Sequence, residues 1–309
     1  MTARDYLSVD DLSTDELIAV LDLAGRMKQD PALHATALAG RSAALIFEKS
    51  STRTRVSFEV GIAQLGGHPL TLSASDLHLG RGETIEDTGR VLSRYVDVIV
   101  LRTFEQERLE VLADAASVPV INSLSDFEHP CQALADLLTI REHLGDLAGR
   151  VLTYVGDGNN VAHSLLLAGA KAAMTVRVAT PIGFEPIPQV VDRAAEIAAE
   201  TGGSIEVGTD PVTAAKGAHV LYTDVWASMG QEGEAEERAL VFHPYQLNGS
   251  LIEVADPDVI VMHCLPAHRG EEIADEAIDG ERSVVFDQAE NRLHTQKALL
   301  VFLLGLAEA

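Results

Sequence analysis

Cysteine is scarce. Cys131 and Cys264 are the two in 309 residues, too few for a disulfide framework. Long apolar runs are missing as well. The longest, 298–307, has ten residues and contains Gly305, whereas a membrane-spanning helix needs about 20. The opening segment is acidic and amphipathic, without the basic region and apolar core of a signal peptide. A cytoplasmic protein is therefore expected. Positive charge is also in short supply, with 23 basic against 47 acidic residues and a net charge of −24. Such a chain lacks the basic face that phosphate backbones and anionic lipids require. No nucleic-acid partner and no membrane is expected. Because cations are few, each clustered arginine is informative, since its guanidinium holds phosphate or carboxylate through two parallel hydrogen bonds. What the chain does have is apolar material, 47% of its residues, enough for the cores of two domains at this length.

The pattern alternates between strand and helix. Ser13 and Glu16 form a capping box ahead of an apolar helical repeat. Strands are predicted at 43–47, 70–72, 96–101 and 118–122, and helices at 54–65, 83–95 and 107–116. A longer helix follows at 130–144. A second series has strands at 151–155, 175–179, 204–207, 220–223, 259–263 and 283–286, with helices near 161–173, 188–201 and 211–217. The acidic stretch 231–237 reads as an exposed loop. This alternation predicts an α/β protein of two doubly wound parallel-sheet domains joined by interdomain helices. The expected domains are 1–145 and 146–290, with a C-terminal helix, 291–309, packing back on the first.

In open α/β sheets, ligands bind beyond the carboxyl ends of the strands, and the chemically informative segments fall there. FEKSSTRTRVSFE, 47–59, joins a strand to a helix start, where unpaired N–H groups and the dipole favour an anion. Ser51, Thr52 and Thr54, with Arg53 and Arg55, crowd that turn, and a cap needs one hydroxyl only. Arg102 directly follows the strand 96–101. His129 and Gln132, in HPCQ, open the helix 130–144, where Pro130 suits the first position and Cys131 reads as a packed small side chain. YVGDGNNVAHS, 154–164, supplies two glycines of a dinucleotide fingerprint, but Val161 occupies the third position and the next strand ends at Thr180-Pro181 without the ribose-binding acid. A small ligand held by Asn159 or Asn160 fits better than NAD. Asp224, in TDVWASMGQE, is an acid at a strand end suited to an amine, and Ser228-Met229-Gly230 can turn its backbone to a ligand. MHCLPAHRG, 262–270, places Cys264 at another strand end. Its histidines match no standard zinc spacing, so no metal is expected. Arg292 is one more candidate anion ligand.

STRTR, HPCQ, DVWASMG and HCLPAHRG, in this order and spacing, resemble the aspartate/ornithine carbamoyltransferase family, and the SMG and HCLP segments are similar to its ornithine branch. The resemblance runs from the first helix to Leu306. It implies transfer of the carbamoyl group of carbamoyl phosphate to the side-chain amine of L-ornithine, giving citrulline and phosphate, without a cofactor. By resemblance, carbamoyl phosphate is held by Ser51, Thr52, Arg53, Thr54, Arg102, His129, Pro130, Cys131, Gln132, Cys264, Leu265 and Arg292, with His78 reaching over from a neighbouring subunit. Ornithine is held by Asn160, Asp224, Ser228 and Met229, and the groups implied in the chemistry are Arg102, His129, Cys264 and Asp224. The family is homotrimeric with shared active sites. Rival readings are the same fold with putrescine or aspartate as acceptor, a non-catalytic sensor, and a dehydrogenase.

Overall fold

The structure, a computed structural model, describes residues 4–73, 82–227, 233 and 235–307. By contact, the chain divides into two compact units. One is Met1–Leu138 with Glu290–Ala309, and the other is Thr139–Ala289.

The first unit opens with α1 (Thr14–Gln29), whose Ser13 and Glu16 form the reciprocal capping box. The alternating elements are β1 (Ser42–Phe47), α2 (Thr52–Gln64), β2 (His68–Ser73), α3 (Ile85–Leu92), β3 (Val98–Arg102), α4 (Gln106–Ala115) and β4 (Val120–Leu124). The sheet is parallel, in the order β2-β1-β3-β4. Ala44, Ile46, Ile99, Leu101 and Val120 pack against Leu109 and Leu112 of α4. Strands covered on both faces read as continuous apolar runs, as β1 and β3 do.

Through α5 (Pro130–Leu144) the chain enters the second unit. There follow β5 (Val151–Val155), α6 (Asn160–Lys171), β6 (Thr175–Ala179), α7 (Pro188–Thr201), β7 (Ser204–Gly208), α8 (Pro211–Ala215) and β8 (Val220–Thr223). After these come α9 (Ala235–Phe242), α10 (Gly249–Val254), β9 (Ile260–His263) and α11 (Asp275–Ile278). Finally α12 (Val285–Leu303) leads back into the first unit. The second sheet is also parallel, ordered β7-β6-β5-β8-β9.

The structure departs from the sequence reading in the region 283–286. That run is not a strand. Ser283 makes a single bridge to Val261, α12 starts at Val285, and Phe286 is 70% exposed. A short apolar run does not distinguish a strand from the start of a helix. Nor is 231–237 all loop, because α9 begins at Ala235. Among the described residues, no helix is long and apolar enough to cross a membrane.

Each sheet changes winding direction at its first strand. From β1 the chain moves to β2 on one side and returns to β3 on the other; from β5 it moves to β6 and returns to β8. Such switch points open a crevice at the carboxyl ends of the two central strands.

Candidate functional site

At the first switch point, β1 ends at Phe47, whose register partner on β3 is Arg102. Arg102 is therefore carried to the rim by the strand itself and is buried there, 8% exposed. Beyond Phe47 the chain turns into α2. Ser51 is its N-cap residue but makes no side-chain cap hydrogen bond. The helix start thus keeps the N–H groups that a capping hydroxyl would have used. Arg53 is half-buried in the first turn. Thr54 is buried, and its Oγ1 accepts from Nη2 of Arg292 at 3.0 Å. The other terminal nitrogen of Arg292 donates to Oε1 of Gln132 at 2.6 Å, and Gln132 Nε2 donates to buried Asp136 at 2.8 Å. The guanidinium fork thus fixes two residues from two different helices. Arg55 does not join this group. It turns to Glu59, one helical turn on, at 3.0 Å.

His129 precedes Pro130, the first residue of α5, and is buried. Burial pushes its pKa well below the usual value, and the charges of Arg292, Arg102 and Arg53 push the same way. The imidazole is therefore neutral among three guanidiniums. Cys131 is fully buried and donates to the Asn122 carbonyl at 3.3 Å. Burial raises its pKa to about 12, only partly offset by Arg292. Its thiol has no thiolate character at ordinary pH.

The second switch point gathers Asp224, at the end of β8, Cys264, at the end of β9, and the turn between β5 and α6. Asp224 is buried. Its Oδ1 accepts the Cys264 thiol at 3.0 Å, and its Oδ2 accepts Nδ2 of Asn159 at 3.0 Å. Asn159 is also the N-cap of α6. Its Oδ1 accepts from the N–H groups of Val161 and Ala162, at 3.0 and 3.2 Å, and from Tyr154 Oη at 3.3 Å. Asn160, next along, is the first residue of the helix. Gly158 is required by packing. A Cβ there would lie 2.3 Å from Pro186 N, and its N–H donates to the Phe184 carbonyl at 2.9 Å. Gly158 therefore serves a loop contact, whereas Gly156 serves the backbone, at φ +144°.

Asp224, His263 and Cys264 bring potential ligand atoms within 4.8 Å of one another. These atoms already hold hydrogen bonds within the protein, Cys264 with Asp224 and His263 with other partners. His263 Nδ1 accepts from Leu265 N–H at 2.9 Å, and its Nε2 meets Glu272 Oε1 at 3.1 Å. The Leu265–Pro266 peptide is cis, and Leu265 has φ +58°. Asp157, in the same turn as Asn159, is bonded to Arg238, which also donates to the Trp226 carbonyl at 2.5 Å and lies over the Phe184 ring. Burial raises the Asp157 pKa to about 6, opposed by Arg238 and assisted by Asp224. His78, Ser228 and Met229 lie outside the described residues.

Sequence reasoning missed Glu272 and the Asp157–Arg238 pair, and it placed Asn159 no higher than Asn160. A cap signal, an Asn just ahead of the first apolar helical residue, was present in Asn159-Asn160 but does not choose between the two. No comparable signal marks Glu272 or Arg238, which sit in strongly acidic stretches.

Two family models match the chain. "Aspartate/ornithine carbamoyltransferase, carbamoyl-P binding domain" covers residues 4–142, and "Aspartate/ornithine carbamoyltransferase, Asp/Orn binding domain" covers 148–303. The ornithine carbamoyltransferase of Parafrankia sp. (strain EAN1pec) is 63% identical, over 98% of this chain and 97% of its own. The solved structure of the Pyrococcus furiosus enzyme of that name is similar with a TM-score of 0.95, at 56% identity over 98% of each chain. The anabolic enzyme of that name from Campylobacter jejuni is similar with a TM-score of 0.92, at 37% identity over 98% of this chain and 99% of its own.

Proposed function

The chain belongs to the aspartate/ornithine carbamoyltransferase family, and on that premise we propose that it carries the carbamoyl group of carbamoyl phosphate to the side-chain amine of L-ornithine. The observation that carries this reading is the uncapped start of α2 with Arg53 in its first turn, together with the Arg292 bond to Thr54. Such a helix start suits the phosphate dianion, with Ser51, Thr52, Arg53 and Thr54 as its ligands and Arg102 and Arg292 completing the charge. Arg102, Thr54 and His129 serve the carbonyl oxygen, where negative charge builds as the amine attacks. His129 works there as a neutral donor. Pro130, Cys131 and Gln132 shape the pocket for the carbamoyl group, with Cys264 and Leu265 bordering it.

Ornithine binds through Asn160, Asp224, Ser228 and Met229. Its side-chain amine resembles that of lysine, with pKa about 10.4, so attack requires loss of a proton first. Asp224, held on both oxygens, and Cys264 face that amine. Once the ammonium has given one proton to solvent, the amine nitrogen forms a bond to the carbonyl carbon, the carbon–oxygen bond to phosphate breaks, and phosphate leaves with the bonding pair and takes up the second proton that the nitrogen sheds. Holding the two substrates in line supplies much of the acceleration. The same reading makes the protein a cytoplasmic homotrimer, with His78 donated across subunits.

The test is citrulline formation from carbamoyl phosphate, with kcat/KM measured for ornithine, putrescine, aspartate and acetylornithine. Ornithine should lead. Equal or better turnover with any of the other three overturns the assignment of acceptor.

A further inference from the structure

The turn 268–272 draws one histidine and two glutamates together. His268 and Glu271 are exposed, Glu272 is fully buried, and one ligand atom from each lies within 4.8 Å of the others. Nδ1 of His268 is 3.7 Å from Oε2 of Glu272 and 3.9 Å from Oε2 of Glu271. These separations are too long for hydrogen bonds. They are close to the edges of a tetrahedron around a zinc-class ion, where bonds of about 2.0–2.2 Å hold ligand atoms about 3.3–3.6 Å apart. The backbone that carries the ligands is already fixed. Glu271 N–H donates to the His268 carbonyl at 3.0 Å, and Leu247 N–H donates to the Glu272 carbonyl at 2.8 Å. Nε2 of Gln246 donates to the carbonyls of Gly270 and Glu271, at 3.0 and 2.8 Å. An ion settling there orders little that is not ordered already. The buried carboxylate itself points to a ligand. Its Oε1 is engaged by His268 N–H at 2.6 Å and by His263, which leaves Oε2 buried without a hydrogen-bond partner among the described residues. Such an oxygen is costly until a donor or a cation meets it. Arg269 does not meet it, because its guanidinium takes both oxygens of Asp279 at 2.8 Å each.

We propose that His268, Glu271 and Glu272 form a binding site for a divalent cation of the zinc class. One imidazole nitrogen and two carboxylate oxygens suit such an ion and leave a position for water. Calcium and magnesium are poorly served, since they take six or more ligands, nearly all of them oxygen. The zinc spacing sought in the sequence lay between histidines, whereas here the ligands are one histidine and the acids three and four residues after it. None of the three residues is assigned to either substrate, so the site stands apart from the transfer reaction. Its ion ties exposed His268 and Glu271 to buried Glu272. Because the ligands converge in the folded chain, the ion favours that state by mass action.

The experiment titrates zinc chloride into the full chain by calorimetry, in buffer free of phosphate. Cys264→Ser is the background, which removes the thiol of the Asp224–His263–Cys264 cluster from the competition. One zinc per chain should bind, with a Kd below about 100 μM. His268→Ala and Glu271→Ala, both at exposed positions, should each weaken binding at least about tenfold. Glu272→Gln should do the same, because its amide keeps an acceptor at Oε1 and puts a nitrogen that does not ligate at Oε2. Zinc at a hundredfold excess over Kd should raise the melting temperature of the background by about 3 °C or more and leave that of Glu271→Ala unmoved. A further measurement needs no change at the site. Zinc must move the ring 15N shifts of His268 in the background chain. Shifts confined to His263 place the ion in the other cluster and overturn the proposal. So do zinc affinities that survive His268→Ala and Glu271→Ala, and so does the absence of binding up to about 1 mM zinc. No step of the test reads citrulline, so failure of the carbamoyltransferase reading leaves its outcome intact.

Discussion

Replacing Asn159 separates two jobs that one side chain performs. Its Oδ1 caps α6 and accepts from Tyr154, and its Nδ2 holds Asp224. Asn159→Ala loses both. The cap alone is worth about 1 kcal/mol, and the buried Tyr154 hydroxyl left without its acceptor costs about 1–3 kcal/mol more. Urea unfolding should therefore show a loss of about 2–4 kcal/mol. Asn159→Asp keeps an acceptor for the cap and adds an anion at a helix start, which is favourable by a few tenths of a kcal/mol. It also puts a carboxylate oxygen where the amide nitrogen lay, 3.0 Å from Asp224 Oδ2. Two unit charges at that distance repel by about 5 kcal/mol at an effective dielectric near 20. The pair relieves this by moving apart or by taking up a proton. Either response spoils Asp224 as the partner of an ornithine amine. With carbamoyl phosphate saturating, kcat/KM for ornithine should drop at least tenfold, about 1.4 kcal/mol, while the cap's stability is largely kept. Unchanged ornithine kinetics in Asn159→Asp, or unchanged stability in Asn159→Ala, would refute the reasoning.

Arg53→Ala should cost about 2–5 kcal/mol in kcat/KM for carbamoyl phosphate and little in stability; near-normal kinetics would put the anion site elsewhere. His129 has a pKa lowered from 6.5 in the folded chain, so the unfolded chain binds a proton that the native one refuses. Its stabilising contribution is complete above pH 6.5 and is lost as pH falls, by up to about 1.4 kcal/mol per pH unit. Asp157 works in the opposite sense. Its pKa is raised from 3.8 to about 6, so its contribution is full at low pH and disappears as pH rises through that window. Urea midpoints of the parent and His129→Asn at pH 7.5 and 5.5 isolate the histidine, and equal slopes would count against its neutral burial. Native protein at pH 8 should alkylate one thiol, and urea should release the second; two reactive thiols in the native state would contradict the burial of Cys131.

The central strands were legible for a physical reason. Residues 43–47, 98–101 and 152–155 are covered on both faces, and such strands are nearly continuous apolar runs. The edges were harder. β2 is half-exposed and reads as 70–72, although it pairs with β1 from His68 to Ser73. The run Val284-Val285-Phe286 shows the limit. It looks like the other buried strands, but only the two valines are buried, and the polar residues after them continue the helix. Pattern alone carries no information about which partner lies beside it. α9 was hidden differently, since an acidic run has no apolar stripe to mark a helical face.

The candidate site was legible where its chemistry is contiguous in sequence. Ser51 to Thr54 lie in one turn, and a reader needs only the rule that helix starts hold anions. The bonds that lock those residues are long-range. Arg292 joins Thr54 across 238 positions and Gln132 across 160. Arg53 and Arg55 are indistinguishable by type, but they differ by two positions on a helix, which places them on different faces. Only one remains available for the anion, because a glutamate four residues on takes the other. The same logic explains why Glu272 was not visible. It is one of 47 acidic residues, and what distinguishes it is burial beside a histidine whose proton is directed by a backbone N–H. Neither fact is local. Residues that touch a ligand can be read from short segments, because the ligand selects their chemical type. Residues that hold them in place are selected by the fold and take whatever type the geometry requires.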